Sequence, residues 1–152
     1  MRKLLLAVLC VGMLGLAAFA QMGGGKGAAD EVIGVTKAQW AAEMKKDTAG
    51  SMKNVAEDYT EFNGDAATRI EGKAMATRLG EAQAGASGGL VAAEMLNPKV
   101  QVYGDVAILS YNFVGVEKDK DGKTETTRAK STRVYVKKDG QWWLVHANFG
   151  KD

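Results

Sequence analysis

The C-terminal part of the chain constrains the fold most. From Leu90 to Phe149, long runs rich in valine, threonine and aromatic residues are cut by "GD" at Gly104–Asp105, "DKDG" at Asp119–Gly122 and "KKDG" at Lys137–Gly140. Asp and Gly tolerate the backbone angles of a tight reversal, so Asp-Gly between alternating runs signals a β-hairpin. The breaks predict strands at about Leu90–Tyr103, Asp105–Lys118, Lys123–Lys138 and Gln141–Phe149. A four-stranded antiparallel meander follows.

The residues before Gly89 have a different period. Thr36, with Gln39 three residues on, has the spacing of a helix N-terminal capping box. Trp40, Met44, Met52 and Val55 continue one apolar stripe, which Gly50 is expected to break or bend. "EDYTEFNG" (Glu57–Gly64) alternates and ends in a turn signal, so it reads as a strand, and "ATRIEG" as a second, short one. A helix from Lys73 has Met75, Leu79 and Ala82 on one face and runs down in "AGASGG". Helices followed by a meander predict an α+β domain with helices packed on one face of the sheet.

Strand Asp105–Lys118 carries a further constraint. One parity reads Ala107, Leu109, Tyr111, Phe113; the other reads Val106, Ile108, Val114, Val116, interrupted by Ser110 and Asn112. An antiparallel sheet with one wet face alternates apolar with polar. Here both faces are largely apolar. The helices cover one, and a second copy is expected to cover the other, burying one of Trp142 and Trp143, whose side chains point to opposite faces.

Residues 1–20 have a basic start, an apolar run from Leu4 to Leu16 and a small-x-small end at Ala18-Phe19-Ala20. This is the layout of a secretory signal peptide, so the protein is expected to be periplasmic or secreted. Cys10 lies inside the apolar run after Leu9, against a lipid-attachment signal, so no membrane association is expected once the signal is cleaved. Of the 20 basic residues, Arg2 and Lys3 fall in this segment, and none of the 18 acidic ones does. The remainder is formally neutral, which gives no electrostatic footprint for nucleic acid. Residues 21–33, opening "QMGGGKGAAD", read as a flexible Gly-rich leader before a domain at 34–152.

Two of the hairpins point to a family. "LNPKVQVYGD" (Leu96–Asp105) and "TRVYVKKDGQWWLVH" (Thr132–His146) resemble the association domain of calcium/calmodulin-dependent protein kinase II, and "FNGDAATRIEGKA" is similar to the segment preceding them. The wider group is the nuclear transport factor 2-like, or SnoaL-like, superfamily. The resemblance implies a curved antiparallel sheet wrapped by N-terminal helices into a cone with a pocket, in a dimer. In that family an arginine lines the pocket from the strand that here bears Phe113, and its loss implies a less cationic pocket.

Within that frame, His146 matches the family's VH histidine. It is either a general base or donor to a ligand, or a structural residue of the last strand. Arg133 matches the TRV arginine. A buried guanidinium needs an anionic partner, either a bound carboxylate, which suits its planar fork, or Asp58 or Glu61 as an internal ion pair. "EKDKDGKTE" fails the calcium-loop pattern, since Arg128 stands where a bidentate glutamate is needed. A single histidine and no cysteine beyond Cys10 argue against zinc.

The sequence therefore predicts an exported, non-catalytic small-molecule-binding or association module, without cofactor or metal. Tyr59, Tyr111, Phe113, Arg133, His146 and Asn148 are its expected pocket residues. A homodimer and a small carboxylate-bearing or apolar ligand are its expected partners. The alternative is a small lyase or isomerase of the SnoaL-like type, with His146 as general base, Tyr111 polarising a carbonyl and Asp58 as the second acid–base group.

Overall fold

The computed structural model describes residues 26–86 and 88–151, so the expected signal peptide at residues 1–20 and positions 21–25 of the expected leader lie outside the described residues. The elements are α1 (Lys26–Met44), α2 (Thr48–Ser51), β1 (Val55–Asn63), β2 (Ile70–Glu71), α3 (Lys73–Ala86), β3 (Leu90–Tyr103), β4 (Val106–Lys118), β5 (Thr124–Lys138) and β6 (Gln141–Lys151). No described helix is long and apolar enough to cross a membrane.

The four long strands fall within two residues of their expected bounds, because the turn residues set them. The β5–β6 turn shows the cause. Asp139 and Gly140 both have positive φ, 52° and 77°, the twist a two-residue hairpin needs.

α1 begins eight residues before the expected domain start, at Lys26 instead of 34. Val32, Thr36 and Trp40 form its buried stripe, 0%, 0% and 5% exposed. Thr36 is no cap. Its hydroxyl donates back to the Val32 carbonyl at 3.0 Å and lies 2.8 Å from the Tyr135 hydroxyl. A threonine whose hydroxyl is satisfied inside its own helix serves as an apolar-face residue. The break expected at Gly50 occurs earlier, at Lys46 (φ 58°). Asp47 then caps α2, its Oδ1 accepting from the Gly50 N–H at 2.9 Å.

α3 presents a different face from the one expected. Ala76 is buried, whereas Met75 and Leu79 are 41% and 44% exposed. Gly80 lies against Thr48 and Met52 of α2 and its C-terminal flank, so α3 docks through its small residues.

The strands form one sheet in the order β2-β1-β6-β5-β4-β3. It is mixed, not wholly antiparallel as expected, because β1 runs parallel to β6. Alternation within a strand carries no information about the direction of its neighbour. α1 packs on the inner face over Ala107, Leu109, Tyr111, Tyr135 and Leu144. Trp40 meets Tyr111 and Phe113 edge-on, at 5.7 and 5.3 Å between ring centroids. Trp142 is the core tryptophan, its Nε1 donating to Glu31 at 2.8 Å; Trp143 is on the outer face, half-buried.

β6 contains one irregularity that decides the site. Tyr135 pairs with Leu144, but Val134 pairs with His146, so Val145 is an extra residue, a β-bulge. Beyond it the parity reverses. Trp142, Leu144 and Ala147 are buried on the inner face, while His146 and Asn148 turn outward.

Candidate functional site

Under α1 the sheet holds a buried polar cluster centred on Arg133, which is 4% exposed. Its Nε donates to the Tyr111 hydroxyl at 2.9 Å and its Nη1 to Gln39 Oε1 at 2.7 Å. The Phe149 ring lies 5.1 Å from the guanidinium carbon. Burial works against its charge, but Tyr111, Tyr135, Tyr59 and Glu43 more than offset this, and its pKa lies above the ordinary arginine value. The arginine stays charged.

The surrounding acids and phenols respond to the same enclosure. Burial raises the Glu43 pKa, although Arg133 and a 3.1 Å hydrogen bond from Gln39 Nε2 act to lower it, while Glu61 adds repulsion. The Tyr59 hydroxyl donates to Glu61 Oε2 at 2.6 Å, and burial followed by that carboxylate holds its pKa far above the usual phenol range. Burial also raises the pKa of Tyr135. Thr36 gives its one proton to Val32, so the Tyr135 hydroxyl must be the donor in the Thr36–Tyr135 bond. Beside Tyr111 and Phe149, the Ser131 hydroxyl is buried without a hydrogen-bond partner.

Of the residues expected around a pocket, Tyr59, Tyr111 and Arg133 lie buried on this inner face, with Phe113 partly buried beside them. His146 and Asn148 do not join them. Arg133 pairs with Ala147, whereas His146 pairs with Val134, so the two side chains point to opposite faces. His146 Nδ1 lies 2.8 Å from Thr60 Oγ1, with the Phe62 ring edge-on at 6.1 Å. Asp58 is exposed and bonds to none of the cluster, and Glu61 uses its oxygens on Tyr59 and Asn63. The expected triad of His146, Tyr111 and Asp58 is not assembled.

The residues missed in the sequence are Thr36, Gln39 and Glu43 of α1, together with Tyr135 and Ser131 of β5. The helix residues were legible only once α1 was placed. Tyr135 and Ser131 were legible earlier, lying two positions either side of Arg133 on the same strand face.

On the outer face, Ser110, Asn112, Lys130, Thr132 and Asn148 line an open concavity of about 450 Å³, with Asn97 at its margin. Asn97 has φ 50° within a register shift of β3, and its amide reaches the Asn112 side chain. Among the described residues no three His, Cys, Asp or Glu side chains gather as metal ligands. At the β4–β5 tip, Asp119 accepts backbone N–H groups of Asp121 and Lys123, which makes it a turn residue.

Residues 28–149 match the family described as the calcium/calmodulin dependent protein kinase II association domain. The chain belongs to that family. Its fold is that of the nuclear transport factor 2-like superfamily, shared with solved proteins of Pseudomonas putida and Salmonella enterica. The type II kinase of Caenorhabditis briggsae is 36% identical over 55 residues, which are 36% of this chain and 10% of the kinase. The match thus spans about a tenth of that relative. The C. elegans association domain superposes with a TM-score of 0.69 at 24% identity, covering 83% of this chain and 97% of that one. The S. rosetta kinase hub gives 0.68 at 25% identity, covering 81% and 95%.

Proposed function

We propose that this association domain is an exported, non-catalytic module that works by self-association, with a second copy covering the outer sheet face. The observation that carries this reading is the uncovered face itself. Val106, Ile108, Val134, Val136 and Trp143 form an apolar end that no helix among the described residues covers. An apolar patch of this kind on a folded domain marks an interaction surface. Solved relatives described as an association domain and a hub are compatible with it. The lyase or isomerase alternative loses support, because His146 and Tyr111 lie on opposite faces of the sheet.

Light scattering at micromolar concentration tests the reading. A mass of about twice the monomer, or a higher multiple, is expected. A monodisperse monomer overturns it.

A second reading, a small carboxylate-bearing or apolar ligand at the Arg133 cluster, has one observation in its favour. The Ser131 hydroxyl is an orphaned polar group, and such groups in native structures call for a partner. Mass spectrometry of small molecules released from the purified protein tests it. A stoichiometric organic acid supports the reading, and none at any purification stage refutes it.

A further inference from the structure

The buried cluster sets one cation, Arg133, against two carboxylates, Glu43 of α1 and Glu61 of β1. Arg133 engages Tyr111 through Nε and Gln39 through Nη1, and Gln39 Nε2 in turn donates to Glu43 Oε1 at 3.1 Å. Glu43 is therefore joined to the arginine through an amide, one turn of helix away. Glu61 is already satisfied by Tyr59 and Asn63. Once ionised, Glu43 is the carboxylate of the cluster with the least compensation.

Its place in the helix adds to the strain. Glu43 is the last residue but one of α1, and that last turn carries no basic residue. A carboxylate there meets the negative end of the helix. The end itself is a Schellman turn, in which the Lys46 N–H donates to the Glu43 carbonyl and the Asp47 N–H to the Ala42 carbonyl, each at 2.9 Å. Glycine normally takes the left-handed position of this turn. Here it is Lys46, at φ 58°, and a side chain strains the backbone at that position. The end of α1 is closed by a weak turn.

The neighbouring charges do not relieve Glu43. Asp47 Oδ1 accepts from the Gly50 N–H, and Lys45 and Lys46 lie exposed beyond the helix. β3, which α1 crosses, turns Ala93 and Met95 toward the core and pairs its exposed Glu94 and Lys99 with Val114 and Ser110 of the outer face. From β1, β4 and β5, the groups around Arg133 are the phenols Tyr59, Tyr111 and Tyr135.

We propose that Glu43 is a proton-operated latch, which keeps the last turn of α1 closed over Arg133 when protonated and releases that turn to solvent when ionised. The latch lies on the inner face, apart from the surface that a second copy is proposed to cover. Protonated, Glu43 keeps its bond from Gln39 and repels neither Glu61 nor the helix end. Ionised, it is opposed by burial and by Glu61, and Arg133 and the Gln39 bond act in its favour without prevailing. Moving the carboxylate into water removes that opposition. The motion breaks the two hydrogen bonds of the Schellman turn and hinges at Lys46. It bares the side of the guanidinium that Gln39 covers, so solvent access to Arg133 follows pH.

The sign follows from linkage. Glu43 ionises more readily in the open turn than in the closed one, so opening becomes easier as pH rises. Between the two ionisation midpoints, the lower of them near its ordinary 4.5, the opening constant rises about tenfold per pH unit.

Amide hydrogen exchange between about pH 4.5 and about pH 8, corrected for the intrinsic pH dependence of exchange, tests the latch. The Lys46 and Asp47 amides are expected to lose protection about tenfold per pH unit within the window, while amides of the β4–β5 ladder lose less. Glu43→Gln keeps the acceptor for Gln39 and cannot ionise, so its turn should stay protected at every pH. In wild type, the carbon-13 titration of the Glu43 carboxyl should coincide with the loss of protection, which keeps the test on the unaltered chain. Protection of the turn that is flat in wild type overturns the proposal. So does a slope that survives in Glu43→Gln, which assigns the proton to another group. A slope shared equally by the β4–β5 amides overturns it too, because the whole domain and not the turn is then opening.

Discussion

Replacing Arg133 with methionine tests whether the buried cluster stabilises the fold or is carried at its expense. Methionine keeps most of the aliphatic stem and fills irregular space well, so the change isolates the guanidinium. Two charge-assisted hydrogen bonds are lost, to Tyr111 and Gln39, each worth about 1.5–3 kcal/mol. The fold recovers the cost of burying a cation, but only in part, because Tyr111, Gln39 and Glu43 stay where they are without their partner. Removing one member of a buried charged arrangement costs about 3–5 kcal/mol, and the lower end applies here because the direct partners are neutral. A loss of about 3 kcal/mol in a domain of this size lowers Tm by roughly 10 °C.

The pH dependence adds a sign. Burial holds the Glu43 pKa above its ordinary 4.5, so between that value and the raised one the folded state binds more protons than the unfolded state. Stability then falls as pH rises through the window. Arg133 counteracts the shift, so its loss steepens the fall, and the deficit of the variant is larger at pH 7 than at pH 4. Circular-dichroism melts of both proteins at the two pH values measure it. A variant that melts at or above wild type at pH 7 refutes the reasoning and means that the arginine is retained against stability, as a ligand site would require. An equal deficit at both pH values refutes the coupling to Glu43 alone.

Tyr135→Phe removes the donor to Thr36 and is expected to cost about 1–2 kcal/mol in urea unfolding. In a double-mutant cycle with Thr36→Val the pair should couple by about 1 kcal/mol, and additivity would show that the bond does not form. Export is tested by intact mass of protein from the native envelope fraction. An N-terminus at Gln21 is expected, and retention of Met1 or a lipid on Cys10 excludes it.

What was legible in the sequence was whatever adjacent residues determine. The hairpins could be read because Asp139-Gly140 and its counterparts demand their own backbone angles, and the two faces of β4 because its parity runs unbroken. The start of α1 was not, since Thr36 resembles a cap until Tyr135, 99 residues away, gives its hydroxyl a buried partner. The α3 face was misread for a related reason. Met75 and Leu79 look like core by hydrophobicity, but the close approach to α2 at Gly80 selects the small side of the helix. Arg133 could be recognised as buried and in need of partners, yet one partner comes from Gln39, 94 positions away.

The fate of His146 turns on a single residue. Simple alternation from the buried Trp142 and Leu144 places residues 146 and 148 inward, beside Arg133, and makes an acid–base pocket. The extra residue Val145 reverses that parity, sending Ala147 and Phe149 in and His146 and Asn148 out. Nothing local in "WWLVHANF" marks the bulge. What requires it is the partner strand, where Tyr135 and Arg133 occupy the inner face and leave the place opposite Arg133 to Ala147, which has no side chain large enough to crowd a guanidinium already bound to Tyr111 and Gln39. An outward His146 beside Thr60 and Phe62 then belongs to the face that a second copy is proposed to cover. The same bulge thus turns the histidine away from Arg133 and Tyr111 and places it, with Asn148, on the face that a second copy is proposed to cover.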